Sequence, residues 1–405
     1  MPSLEANYNE TQVPAYELPD LLRFENGELA QTPDDWRRRR SELLALFRSQ
    51  VYGQAPPRPA NMRAEVYESS ADALDGLAVR RQIRLHFDVP EITPLELLIY
   101  LPAHVEGPTP MFAGLNFFGN HTVQDDPAIT LSSRWMRASD PYAVVNHRAT
   151  EASRGKAASR WPVREIVGRG YGVATMYYGD LAPDNADFYR DGVQGLFAPD
   201  RTGLPGAEEA GAIGIWAWGL QRILDYLETD EQADATRVTA VGHSRLGKAA
   251  VWAAAQDERF AMAISNNSGC TGAALSRRCF GETVGIINEK FPHWFCGNYK
   301  RYSGRENALP LDQHMFLALL APRPIYVASA DEDLWADPLG EFLALKAAEP
   351  VYHLLGMGGL SAEAMPPIGE PVHGVQSYHI RQGTHGITSE DWAYYLDHAD
   401  RFLVS

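Results

Sequence analysis

The sequence predicts an α/β fold, a three-layer α/β/α sandwich around a mixed, mostly parallel central sheet. Three observations lead there. Apolar, β-prone runs at Val79–Phe87, Leu95–Leu101 and Met111–Phe118 follow one another without helical periodicity between them, which suits an antiparallel start to the sheet. The runs at Gly172–Tyr178, Val238–Val241, Met262–Ser265, Ile325–Ser329 and Val351–Leu355 are instead interleaved with helical patterns, as parallel crossovers require. Third, Val238–Ala250 passes from strand through a glycine-bounded turn straight into a helix, with a serine at the apex of the turn.

Taken in chain order, residues 1–60 are polar and punctuated by proline, with one helix predicted at Asp34–Val51. That helix carries the run Arg37–Arg40, which reads as a solvated face. Ala210–Glu228 repeats apolar residues at Ile213, Trp216, Leu220, Ile223, Leu224 and Leu227, the spacing of a helix with one buried stripe. Further helices are predicted at Pro338–Ala348 and Ser389–Leu403. With no internal repeat and no low-complexity linker, the expectation is one catalytic domain over residues 1–405 with a polar extension over about residues 1–60.

Apolar residues make up 45% of the chain, ample for a large core, and the formal net charge is −16. So acidic a chain disfavours nucleic acid and anionic membranes as partners, and a polyanionic substrate would need a local cationic site. No stretch approaches the roughly eighteen uninterrupted apolar residues of a membrane span. The N-terminal stretch shows neither a basic n-region nor an apolar h-region, as expected of an intracellular protein or of one whose leader has been removed. Cys270, Cys279 and Cys296 are compatible with one disulfide and one free thiol. Neither C-x-x-C nor H-E-x-x-H spacing occurs, so no metal and no cofactor are expected.

The chemistry centres on Gly242-His243-Ser244-Arg245-Leu246-Gly247. A strand–turn–helix of this kind lifts Ser244 Oγ clear of the sheet and points backbone N–H groups at a developing oxyanion. A serine nucleophile needs a base, and the base needs an orienting acid; in this fold class they follow in the order serine, acid, histidine. His385 stands in a loop directly before the last helix and is the predicted base, ahead of His373, His379 and His398. Asp331, Asp333 and Asp337 follow the run Ile325–Ser329. Asp337 precedes Pro338 as a helix N-cap would, leaving Asp333 as the predicted acid and Asp331 as the alternative. Two cations distinguish the turn. Arg245 adds a charged donor for the oxyanion, and Lys248, one helical turn after Ser244, makes a pocket for an anionic or hydroxyl-rich substrate.

On these residues the sequence resembles the glucuronoyl esterases, carbohydrate esterase family 15, whose nucleophile motif G-[CH]-S-R-x-G-K is matched by Gly242 through Lys248. The likeness continues through Ser268–Ala274, Glu289 with Pro292–Phe295, Leu311–Arg323, Asp333–Trp335 and Gly383–His385, over roughly residues 110–400. His243 resembles the bacterial form of the motif. The resemblance implies an α/β-hydrolase fold, with Ser244 as nucleophile, His385 as base and Arg245 assisting the oxyanion. It also implies that Lys248, Glu282, Glu289 and Trp335 contact the glucuronoyl sugar. One position departs from the pattern: Asn267 stands where many members carry the triad glutamate, so the acid is expected on the later strand, at Asp333.

The implied reaction is hydrolysis of the ester between (4-O-methyl-)glucuronic acid of glucuronoxylan and a lignin alcohol, through an acyl-enzyme. The rivals are a xylan acetyl esterase or general carboxylesterase, and a catalytically silent carbohydrate-binding protein. A monomer is expected. A secreted or periplasmic location follows from the polymeric substrate alone.

Overall fold

Among the described residues nine strands form one sheet: β1 (Arg63–Asp72), β2 (Ala78–His86), β3 (Leu95–Pro102), β4 (Thr109–Asn116), β5 (Gly172–Tyr177), β6 (Ala233–His243), β7 (Met262–Asn266), β8 (Ile325–Ala330) and β9 (Gln376–Arg381). The computed structural model describes residues 5–87, 93–197 and 202–404; the first four residues of the N-terminal stretch and residues 198–201 of the Asp180–Gly206 loop lie outside the described residues. The spatial order is β1-β2-β3-β5-β4-β6-β7-β8-β9. The pairs β1/β2, β2/β3 and β3/β5 are antiparallel, and every pair from β5/β4 onward is parallel. This is the mixed, mostly parallel sheet that the sequence predicts, in the α/β-hydrolase arrangement that the resemblance implies.

The helices that matter below are α1 (Pro33–Phe47), α2 (Val163–Gly168), α3 (Ala212–Leu227), α4 (Arg245–Gln256), α5 (Val284–Lys290), α6 (Gln313–Ala318), α7 (Pro338–Ala347), α8 (Glu349–Leu354) and α9 (Ser389–Leu403). Successive side chains of a strand point to opposite faces, so both faces of the sheet carry apolar residues that need covering. Leu97, Ile99 and Leu101 of β3 join one core with α1, α3, α4, α6 and α7. Leu98 and Tyr100 join the other, beneath α2 and α9. The parallel strands all end on one edge, where ligand sites of open α/β sheets form.

The structure corrects several expectations. Val351–Leu355 is not a strand; it lies on α8, which carries Pro350 in its first turn. A five-residue apolar run has no period long enough to separate strand from helix. The last strand is β9, whose Gln-Ser-Tyr-His-Ile-Arg is polar in sequence yet wholly buried. β1 was also invisible as an apolar run, because it is a largely exposed edge strand. The helix expected over Asp34–Val51 ends at Phe47 and continues as a single π-turn, Arg48–Tyr52. Nor is Arg37–Arg40 uniformly solvated. Arg39 is buried against Leu21 O and Glu42, and Arg40 donates to Leu319 O and Ala255 O, capping carbonyls of other elements. The N-terminal extension packs on the body: Gly281 N donates to Asn7 O, and Glu10 pairs with Arg278. All three cysteines are free thiols.

Candidate active site

Each proposed catalytic group follows the C-terminal end of a different strand. Ser244 follows β6, Asn267 follows β7, Asp333 lies beyond β8 and His385 beyond β9. Ser244 adopts φ 58° and ψ −131°, a left-handed conformation costly for a side chain with a Cβ. The turn closes this tightly because glycine sits on both sides: a Cβ on Gly242 would lie 2.0 Å from Leu246 O, and one on Gly247 3.0 Å from Gly242 O. α4 then starts at Arg245, and the first intrahelical bonds run from Gly247 N and Lys248 N to Ser244 O. The N–H groups of Arg245 and Leu246 precede those bonds, at the positive end of the helix.

His385 Nδ1 donates to Asp333 Oδ2 at 2.5 Å, which leaves Nε2 as the lone-pair nitrogen. Asp333 is buried while the His385 side chain is 41% exposed. Ser244 and His385 line the same open cleft, of about 670 Å3. Asn267 Nδ2 donates to the same Asp333 oxygen at 2.8 Å. Asn267 therefore orients the carboxylate beside it. Asp331 instead accepts from Gly383 N at 2.7 Å, bracing the loop that carries His385. Asp337 caps α7 by accepting from Gly340 N and pairs with Arg278. His379 is buried against Asp391, and His398 lies within α9 beside Ser377 with its pKa pushed down to about 3 by burial. His373 does not line the cleft.

Opposite the base, the Arg245 guanidinium lies 4.7 Å over the Trp294 ring and 5.4 Å over Phe291, which stack on each other. It pairs with Asp184, a residue the sequence reading passed over. The Asp184 side chain is 2% exposed and also accepts from His293 Nε2 at 2.9 Å and Trp294 Nε1 at 2.7 Å. Burial alone would raise its pKa, but the Arg245 charge and these hydrogen bonds outweigh it and hold the carboxylate below its usual range. The half-buried guanidinium is thus held in place by a buried anion on one side and two aromatic rings on the other.

The floor of the cleft is polar. Lys248 is buried, donates to Ser268 O at 2.5 Å, and lies 3.7 Å from Glu282 Oε2. Burial raises the pKa of Glu282, with the Lys248 charge opposing it. Trp335 forms one wall, and Lys290 Nζ sits 4.4 Å over its ring. Lys290 was not foreseen; only its place at the end of α5, beside Trp335 in space, brings it to the rim. Glu289, expected among the sugar contacts, is exposed on α5 and does not line the cleft. The loop aromatics Trp135, Tyr142, Trp161, Phe188, Tyr189 and Phe197 do not line it either. They pack instead, Trp135 on His147 and Phe188, Tyr142 on Phe118, Phe197 on Trp218.

Beneath Ser268 and Gly269 lies Glu341 of α7, fully buried, accepting from Gly269 N at 2.9 Å and Ser329 Oγ at 2.6 Å. Burial pushes its pKa up to about 8 against the pull of these bonds, and the Asp333 charge adds to the rise.

Residues 203–356, which hold the elbow, Asn267, Lys248, Glu282 and Asp333, match the family model described as glucuronyl esterase, fungi. Over 98% of this chain and 92% of the relative, a carbohydrate esterase from an unknown prokaryotic organism is 45% identical. This chain belongs to the glucuronoyl esterases, carbohydrate esterase family 15. Two solved structures of the family superpose closely. A glucuronoyl esterase from Solibacter usitatus is 45% identical with a TM-score of 0.92, over 97% of this chain and 100% of that one. A promiscuous esterase of the family from a marine bacterial metagenome is 44% identical with a TM-score of 0.92, over 98% of this chain and 100% of that one.

Proposed function

We propose that this glucuronoyl esterase acts through a Ser244–His385–Asp333 triad on esters of (4-O-methyl-)glucuronic acid, with the ester between glucuronoxylan and a lignin alcohol as its natural substrate. His385 Nε2 takes the Ser244 proton as Oγ attacks the C6 carbonyl. The resulting oxyanion is met by backbone N–H groups at the start of α4 and by Arg245. Collapse breaks the C–O bond to the alcohol, which leaves with the proton from His385. Water, deprotonated by His385, then releases the glucuronate and restores Ser244. Buried Asp333 holds the imidazolium in each step.

The observation that carries this reading is the coincidence in one cleft of Ser244 and His385 with Lys248, Glu282 and Trp335. A lysine–glutamate pair donates to and accepts from ring hydroxyls, and an indole covers the apolar edge of a pyranose. A plain esterase pocket needs none of these. Lignocellulose cannot enter a cell, so we place the enzyme outside the cytoplasm, working as a monomer. The 44%-identical marine relative is described as promiscuous, which favours a second reading, a general carboxylesterase on the same triad. Hydrolysis of methyl and benzyl glucuronate measured beside an acetyl ester decides between them. Preference for the glucuronates by more than tenfold in kcat/KM is expected; equal turnover of the acetyl ester would overturn the sugar-specific reading.

A further inference from the structure

One buried carboxylate outside the triad, Asp391, connects the turn that carries the nucleophile to the loop that carries the base. It is the third residue of α9, where both its backbone N–H and its Oδ2 take part in a reciprocal cap with Thr388. Its two oxygens then divide. Oδ2 accepts from Arg381 Nε at 2.9 Å, and Oδ1 accepts from Asn266 Nδ2 at 3.2 Å and His379 Nε2 at 2.9 Å. Arg381 ends β9 and is 4% exposed. Its remaining nitrogens donate to the carbonyls of Gln382 at 2.9 Å, Thr384 at 3.0 Å and Gly386 at 2.8 Å. The backbone on both sides of His385 is thus wrapped around one guanidinium. On the other arm, Asn266 O accepts from Ser244 N at 2.8 Å, and Asn266 Oδ1 accepts from His243 Nδ1 at 2.6 Å.

We propose that Arg381 and Asp391 are positioning residues for ester hydrolysis. The Asp391 carboxylate fixes Arg381, Arg381 shapes the loop that presents His385, and Asn266 refers that loop to Ser244. The need for such a frame is visible in the exposure of the base. The His385 side chain is 41% exposed, and its hydrogen bond to Asp333 fixes the ring about an axis without fixing the height of the loop. A planar fork with five N–H donors holds the Asp391 carboxylate and three carbonyls at once, one acceptor more than the three donors of an ammonium can serve. This proposal rests on the Ser244–His385–Asp333 reading.

Arg381→Lys tests it, because lysine keeps a charge beside Asp391 but its three donors on one nitrogen cannot serve the carboxylate and three separated carbonyls together. The expected result is a folded enzyme whose kcat on methyl glucuronate falls about 10- to 100-fold with KM within about twofold. The low-field proton resonance of the short His385–Asp333 bond should shift or broaden in the same variant. Asn266→Ser cuts the other arm and should give a smaller kcat loss with KM again unchanged, which supplies the readout if the lysine variant does not fold. Turnover within twofold of the parent in a folded variant, or a loss that merely follows the folded fraction with the resonance in place, overturns the positioning role. Asp333→Asn tests the underlying reading separately: retained turnover there overturns the triad, whereas retention in Arg381→Lys alone overturns only the frame.

Discussion

On the base side of the cleft, Asp333 and His385 come from the ends of neighbouring strands and meet across one 2.5 Å hydrogen bond. On the oxyanion side, Arg245 is held by Asp184 together with His293 and Trp294, which come from two long connections. Strand order delivers the first arrangement almost automatically, because adjacent parallel strands end side by side about 4.8 Å apart. Nothing in the strand order delivers the second. It depends on how the connection after β5 folds over the one between β7 and β8. The difference predicts that the base side should fail chemically when altered, and the oxyanion side both chemically and structurally.

The largest effects should separate these two sides. Ser244→Ala is expected to lower kcat/KM on methyl glucuronate by about 10^4-fold or more, and Asp333→Asn by about 10^2- to 10^4-fold with little change in thermal midpoint. An Asp333→Asn enzyme with turnover near the parent would place the acid elsewhere. Asp184→Asn should cost less in kcat, on the order of 10- to 100-fold, but should also destabilise the fold by about 2 kcal/mol, since it leaves a half-buried guanidinium without its anion. The native pKa of Asp184 is depressed, so its contribution is fully present above the unfolded carboxylate value of about 3.9 and is lost as pH falls below it. Thermal midpoints of parent and Asp184→Asn should therefore converge on acidification; a gap that stays constant down to pH 3 would show that charge is not the cause.

Within the sugar-facing floor the comparison sharpens to two glutamates. Glu282→Gln is expected to raise KM for glucuronate esters about tenfold, whereas Glu289→Gln should change it by less than about twofold, because only Glu282 lines the cleft. Equal effects would mean that α5 shifts when substrate binds. The smallest effect concerns Glu341. With a native pKa near 8 against about 4.3 unfolded, it favours folding most below the unfolded value, and that advantage is lost as pH rises toward 8. Glu341→Gln, neutral at every pH, should raise the thermal midpoint by about 2 °C at pH 8 and by less at pH 5. A stabilisation that does not depend on pH would overturn the assignment of that shift.

Much of this site could be read before folding. The nucleophile turn announces itself, since Gly242 and Gly247 are required by contacts within a few residues of Ser244. His385 follows from chain order and from its loop directly before the predicted last helix, and Asp333 from its place after the predicted strand Ile325–Ser329. Asp184 could not be read that way. It sits in an unremarkable Ala-Pro-Asp-Asn stretch, and apart from Tyr178 its partners are 61 to 110 residues distant. Asp391 looks like an ordinary helix cap in sequence, which it also is; its contact with Asn266 spans 125 residues. β9 escaped notice because its polar residues are buried by partners, His379 by Asp391 and Tyr326, and Arg381 by Asp391 and three carbonyls.

The sequence alone determined the α/β order of elements, the strained serine between its glycines, and the pairing of a late aspartate with a loop histidine. These rest on local sterics and on the chain order of parallel strands, both of which are properties of short segments. Only the tertiary structure decided which carboxylates are buried, and with whom. Asn267 turned from a missing acid into a donor for Asp333, Glu289 fell outside the cleft while Glu282 fell within it, and Arg245 acquired Asp184. The physical reason is that the cost of burying a charge is met only by a partner in space, and partners more than a few residues apart are chosen by packing rather than by spacing.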